Sequence, residues 1–354
     1  MGEITIRDIA KECGVGVSTV SRALNNHPDI NPETRDKIMQ MIKDTGFVPN
    51  NSARNLKRVE AKSVAVLIKG ITNPFFTDMI RIIEEEIERR GFSLVLHHVE
   101  SREDEVDVAL ELVKEKRLQG IVFLGGEFAH SEEKLSLLSV PFVFSTAGTQ
   151  PKNLNEKVYS SISVDDCAES RRVVEYLLDI GHRKIAIITA QSEDKSVGKL
   201  RLNGYREALL RRGIPIDDRL ICSLHEGEQF EQFSMENGYV VTKELLTKGA
   251  EFTAIFAISD VLAIGACRAL REAGVQVPEQ VSVVGYDGIT LGDFFNPRLT
   301  TLKQPTEVMA RETINLLFGI LAGKRKHQHL VFPGELVIRE SARALNGSTE
   351  MKSN

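Results

Sequence analysis

Along the first fifty residues, apolar side chains recur at helical spacing in three short bursts. Ile6, Ile9, Ala10 and Cys13 share one face, Thr5 stands ready to cap it with Asp8 as capping-box partner, and Gly14 follows its end. In "VSTVSRALN" Val20, Ala23 and Leu24 face inward, which turns Ser18, Thr19, Ser21, Arg22 and Asn25 outward. "NPETRDKIMQMIKDTG" predicts a third helix, with Asn31 as cap, Pro32 in the first turn, Glu33 at the positive end of the helix dipole and Gly46 as terminator.

The pattern changes at residue 63. Runs of four to six apolar residues alternate with amphipathic stretches: SVAVLI, DMIRIIEEEIERRG, FSLVLHHV, EVDVALELVKEKRLQG and IVFLG. This is a βαβαβ order, the mark of a buried parallel sheet. It then repeats as KIAIIT, LRLNGYREALLRRG, ICSLHE, MENGYVVTKELLTKG and TAIFAIS, and each half holds a helix that ends in Arg-Arg-Gly. Two such layers imply two lobes with a cleft at the carboxyl ends of their strands. The fold class expected is α/β: a three-helix head, a linker and a two-lobed body with two parallel sheets.

Between head and body lies "PNNSARNLKR", which is polar and basic apart from Leu56, and which is too short for a stable helix of its own. Residues 1–62 carry ten Lys/Arg and eight Asp/Glu, leaving 35 and 42 for the remainder, so a mildly basic head joins an acidic body. The four cysteines are far apart, without a CxxC pair, and fit a reducing compartment. The charged, periodic N-terminus is unlike a signal peptide, and no run reaches the ~18 apolar residues of a membrane span. A cytoplasmic protein is expected.

Two helices joined by a glycine-containing turn and followed by a third are helix-turn-helix arithmetic. The outer face of the second helix carries short hydroxyls for phosphates, Arg22 for guanine and Asn25 for a base edge; a small solvated helix would expose similar residues. "TIRDIAKECGVGVSTVSRALNN" followed by "TRDKIMQMIKDTGFVPNNSARNLKR" resembles the DNA-binding head of the LacI/GalR family of bacterial transcription regulators. The resemblance implies DNA contacts from Thr5, Val17, Ser18, Thr19, Ser21, Arg22 and Asn25. It also implies a linker that folds into a hinge helix on the operator, where Asn50, Ala53, Arg54, Leu56 and Lys57 meet DNA and Leu56 wedges into the minor groove. One position departs from the family pattern: Gly16 stands where a serine usually caps the recognition helix.

The body resembles the effector domain of that family, itself related to periplasmic sugar-binding proteins. The resemblance rests on "NPFF", "GHRKIA", "RLNGYREAL", "SDVLAIGACRAL", "VPEQVSVVGYDG" and "RLTTLKQP". It implies a head over 1–49, a hinge over 50–60 and an effector-binding and dimerisation domain over 61–343. Its crossings between lobes are expected near 162, 290 and 325, so lobe 1 takes about 61–162 and 291–324, and lobe 2 about 163–290 and 325–343. Residues 344–354 are expected to be a disordered tail. The effector pocket it implies holds Phe75, Phe76, Arg201, Phe233, Ser259 and Asp287. For Arg201 a surface charge, for Asp287 a turn, and for the two phenylalanines core packing are the competing readings. Thr146-Ala147 departs from the aspartate-led pair of many relatives, and Ser259 from a common asparagine or threonine.

The expected function is that of a homodimeric regulator, a repressor of a near-palindromic operator, controlled by a small molecule of the sugar class and needing no cofactor or metal. The rival is a nucleotide-dependent α/β enzyme with a helical extension. It needs a glycine-rich phosphate loop, and "VLIKGITNPFF" and "IITAQSEDKSVG" both lack its glycines. "FLGGEF" reads as a turn, and "KRKHQH" as a solvated loop.

Overall fold

The computed structural model describes residues 4–24, 27–47, 62–100, 102–127, 130–148, 158–191, 195–225 and 231–345. The chain divides into two units, Met1–Ala61 and Lys62–Asn354.

In the first unit, α1 (Ile6–Cys13) opens with a capping box: the Thr5 hydroxyl accepts the Asp8 amide and the Asp8 carboxylate accepts the Thr5 amide. α2 (Val17–Leu24) follows, and α3 (Pro32–Thr45) starts with the Asn31 side chain accepting the Glu33 and Thr34 amides. Ile9, Ala10, Cys13, Val20, Ala23 and Ile38 are buried together as a small core, with Leu24 half-buried against them.

The second unit runs in chain order through β1 (Ser63–Lys69), α4 (Phe75–Arg89), β2 (Ser93–Val99), α5 (Glu105–Glu115), β3 (Leu118–Leu124), α6 (Glu132–Leu135), β4 (Phe142–Ser145) and β5 (Ser160–Ser163). It continues through α7 (Asp166–Asp179), β6 (Ile185–Thr189), α8 (Val197–Arg211), β7 (Ile221–Ser223), α9 (Met235–Thr247), β8 (Ala254–Ala257), α10 (Asp260–Glu272) and β9 (Ser282–Asp287). Then come α11 (Leu291–Phe294), β10 (Thr300–Lys303), α12 (Thr306–Leu321), β11 (His329–Val331) and β12 (Glu335–Val337). One sheet has the order β11-β5-β4-β3-β1-β2 and is parallel throughout. The other has the order β12-β10-β9-β8-β6-β7, with only β12 antiparallel. Their central strands are buried along nearly their whole length, as strands covered by helices on both faces must be.

Several boundaries differ from the sequence reading. The chain does cross after β5, but β10 pairs with β9, so residues 291–303 stay with the second lobe and the return follows Lys303. α12 then packs on the first lobe, where Thr313 hydrogen-bonds Ser145 at 2.9 Å. β11 pairs with β5 in the first sheet, which moves the last crossing from 325 to the segment between Val331 and Glu335. "KRKHQH" is therefore no simple loop: His327 and His329 bond Ser160 and Ser161, and His329 begins a strand. The helix read over "EVDVALELVKEKRLQG" stops at Glu115, since Lys116 turns extended and Leu118–Gly120 enter β3. Residues 344 and 345 are not tail either, because the Leu345 amide donates to the Ile180 carbonyl and the Arg343 carbonyl is held at His182. Residues 346–354 and the hinge lie outside the described residues.

Candidate functional site

In the body, the carboxyl ends of both sheets face one cavity, lined from the first lobe by Lys69, Asn73, Phe75, Phe76, Gly125 and Thr146, and from the second by Arg201, Phe233, Asp287 and Gln304. At its floor lies Arg201, on α8 and 4% exposed. Its Nε donates to Asp166 Oδ1 at 2.8 Å, and its Nη1 to the Ile258 carbonyl at 2.5 Å and to Asp287 Oδ1 at 3.4 Å. The guanidinium also covers the Tyr286 ring. Burial opposes its charge, but Asp166 and Asp287 more than offset this and hold its pKa above the ordinary arginine value. Burial raises the pKa of both carboxylates, and Arg201 recovers only part of that shift.

Asp287 is held in an unusual place. At φ 113° it occupies a region that side-chain-bearing residues rarely adopt, which costs about 1–3 kcal/mol. Its surroundings enforce it. The buried Asp260 carboxyl group accepts the amides of Gly288 and Ile289, both at 2.8 Å, and the Thr301 hydroxyl at 2.6 Å. At Gly288 a Cβ would lie 2.6 Å from the Lys303 Cα, so the turn requires glycine. The Asp287 carboxylate accepts Ser259 Oγ and Gln304 Nε2, each at 2.9 Å, and Asn73 bonds it from the opposite lobe.

Beside Asn73, the first-lobe wall carries an aromatic pair. Phe75 and Phe76 begin α4, 5.2 Å apart edge to face, and both pack in the core while lining the cavity. The Thr146 hydroxyl accepts the Gly125 amide and donates to the Ser145 carbonyl, which holds the Gly-Gly turn in position. Lys69 reaches the buried Glu105 at 3.4 Å, and His130 completes that cluster at 3.0 Å. Burial would raise the Glu105 pKa, but His130 and Lys69 bring it below the usual value, so it is ionised.

Of the pocket residues read from sequence, Phe75, Phe76, Arg201, Phe233 and Asp287 line the cavity directly, and Ser259 acts through Asp287. The surface-charge reading of Arg201 fails, because the side chain is buried and paired. Asp166, Gln304, Asn73 and Asp260 were missed. Gln304 sits in the quoted "RLTTLKQP", but nothing local marks Asp166 as the partner of a residue 35 positions away.

In the head, Ser18 and Arg22 on α2 are exposed, Thr19 and Ser21 are half-buried, and Val17 is 41% exposed beside them. Thr5 is exposed, with its hydroxyl engaged by Asp8. These side chains project from one short helix and its neighbour, the arrangement a major groove accepts. Asn25, Asn50, Ala53, Arg54, Leu56 and Lys57 lie outside the described residues.

Comparison with known proteins agrees with both parts. Residues 5–50 match the family of bacterial regulatory proteins, lacI family, and residues 174–342 match a periplasmic binding protein-like domain. The chain is 40% identical over 340 residues to the HTH-type transcriptional regulator MalR of Clostridium butyricum, covering 96% of this chain and 99% of that protein. Its structure is similar to the transcriptional regulator CelR–cellobiose complex, with a TM-score of 0.69, 31% identity, and 96% and 100% of the two chains covered. It is also similar to the lac repressor dimer bound to operator and the anti-inducer ONPF, with a TM-score of 0.69, 25% identity, and 97% and 100% covered.

Proposed function

The chain belongs to the LacI family of bacterial regulatory proteins, and from that premise we propose that it is a cytoplasmic repressor whose grip on its operator is set by a neutral sugar held between the two lobes. The observation that carries the effector reading is the Arg201–Asp166–Asp287 clamp facing the Phe75–Phe76 wall across the cavity. Charged groups bracketing hydroxyls over an aromatic face are what polyol recognition needs. The positive charges of this cluster are already engaged and outnumbered: Arg201 meets two carboxylates, and Lys69 is tied to Glu105. That balance disfavours a phosphorylated ligand. The sugar-bound CelR structure supports the same class of ligand.

Ser18, Thr19, Ser21 and Arg22 are assigned to the operator, with Val17 packing against the groove and Thr5 at a phosphate. Asn25 is assigned to a base edge. Asn50, Ala53, Arg54, Leu56 and Lys57 of the hinge are assigned to the minor groove and its backbone. The protein works as a homodimer, since one recognition helix reads only a half-site. Met235, Tyr239, Ile264 and Phe295 line a groove along α9 and α10, and Phe294, next to Phe295 in the chain, is 83% exposed; these apolar residues suit self-association. Effector and operator are coupled, so each shifts the affinity of the other by the same factor. Among the described residues no helix is long and apolar enough to cross a membrane.

The test is a thermal-shift screen of neutral mono- and disaccharides beside sugar phosphates, followed by operator titration with the hits. A neutral sugar should raise the melting temperature and change operator affinity. Asp287→Asn should weaken that sugar by roughly ten- to hundredfold, the loss of a charge-assisted hydrogen bond worth about 1.5–3 kcal/mol, while operator binding without sugar persists. Stabilisation by sugar phosphates alone would refute the neutral-ligand reading.

A further inference from the structure

The first sheet places a band of positive charge at one end of the body. Its strands are all parallel, so the segments that lead into them converge at a single pole. Lys62 leads into β1, Arg89 and Arg90 into β2, Lys114, Lys116 and Arg117 into β3, and Lys324, Arg325 and Lys326 into β11. Against these nine basic residues the same segments hold Glu86, Glu88 and Glu115. All nine are exposed except Arg90, which is half-buried.

Only part of this charge is used within the fold. The buried Glu86 takes Arg89, Arg90 and Arg311, and Arg325 lies 3.5 Å from Glu312. Lys62 stands over the Phe92 ring. Among the described residues, the side chains of Lys114, Lys116, Arg117, Lys324 and Lys326 make no ion pair and no hydrogen bond. They sit on a body that is otherwise acidic, with 42 Asp/Glu against 35 Lys/Arg over residues 63–354. With neighbouring strands about 4.8 Å apart, the six-stranded rim from β11 to β2 spans roughly 24 Å, several phosphate spacings of a duplex. The chain also enters the body here: Lys62 is its first residue, and fourteen residues separate it in sequence from Phe47 of the head.

We propose that this basic pole is a second DNA-contacting surface, which holds duplex phosphates near the operator without reading sequence. The proposal rests on the operator-binding reading of the head, but it assigns the body a share in affinity. Segregated like charges that no internal partner neutralises cost the folded body some self-repulsion, and a polyanion relieves it. Ions released from DNA by these lysines and arginines would steepen the salt dependence of binding.

The experiment uses the full chain and its Lys116→Gln/Arg117→Gln and Lys324→Gln/Lys326→Gln variants, on an operator with and without flanking duplex. Exposed Lys-to-Gln and Arg-to-Gln changes should leave the melting temperature unchanged. On the flanked duplex, each variant should bind more weakly, and the slope of log K against log salt should fall by about 0.9 for every phosphate that is no longer neutralised. On the bare operator, the variants should match the parent. Arg22→Ala, which removes a base contact, should instead lose operator preference with any duplex and serves as the control for the head. If both double variants keep the parental slope on flanked DNA while Arg22→Ala loses its preference, the pole does not touch DNA and the proposal is overturned, with the head's reading intact.

Discussion

Arg201 lies flat against Tyr286, its guanidinium carbon 3.7 Å from the ring centroid, while its edge points to Asp166. Stacking and forked hydrogen bonding together are available only to a planar guanidinium. Arg201→Ala would strand two buried carboxylates, so the body should lose about 3–5 kcal/mol in denaturant unfolding as well as its sugar response. Arg201→Lys keeps the charge but neither the stack nor the fork, and it should unfold at an intermediate midpoint. Wild-type stability in both variants would mean that the cluster does not hold the cleft together.

Asp260 predicts a pH dependence. Burial, with the neighbouring Asp287 charge, pushes its pKa up to about 8 from an ordinary 3.8. The folded body therefore keeps a proton that the unfolded chain releases, and stability from this group is complete below about 4, then lost as pH rises toward about 8. The melting temperature should fall over that window and level off above it. Asp260→Asn, which cannot ionise, should flatten the profile. An equal slope in wild type and variant would assign the dependence to other groups.

At Gly16, a Cβ would meet Ser18 Oγ at 3.5 Å and Thr19 Oγ1 at 3.9 Å, ordinary contact distances. The site therefore has room for the serine that relatives carry. Gly16→Ser should stabilise the head by a few tenths of a kcal/mol and add a hydroxyl for a phosphate at the start of α2. Operator affinity should rise modestly at low salt; weaker binding would show that glycine is needed there by the DNA.

Leu56 concerns the hinge. If its side chain is buried only between unstacked bases, Leu56→Ala should leave the free protein's melting temperature unchanged. Burial of a leucine is worth about 1.5–3 kcal/mol, of which alanine recovers part, so specific affinity should drop by one to two decades. The salt slope should stay, since no charge is removed. Operator bending, measured by energy transfer between labelled DNA ends, should diminish. A lower melting temperature with normal bending would make Leu56 a core residue.

The head was legible in the sequence because its determinants are local. Thr5 and Asp8, or Asn31 and the amides it caps, lie within one helical turn, and the spacing of Ile9, Cys13 and Val20 states which faces meet. The alternation of buried strands and amphipathic helices announced two α/β lobes for the same reason. Which strand joins which sheet was decided elsewhere. β10 follows a helix of the second lobe and β11 a helix of the first, yet each is a short strand whose pairing depends on an edge formed by residues far away in the chain. The site divides in the same way. Arg201, Asp287 and the two phenylalanines stand in motifs that a reader can recognise. The burial that turns Arg201 from a helix charge into a clamp needs Asp166 from α7 and Tyr286 from β9, brought together only when α8 packs beside α7 at the ends of the second sheet. Periodicity reports which way a side chain faces, whereas its partner is set by tertiary packing that no local pattern encodes.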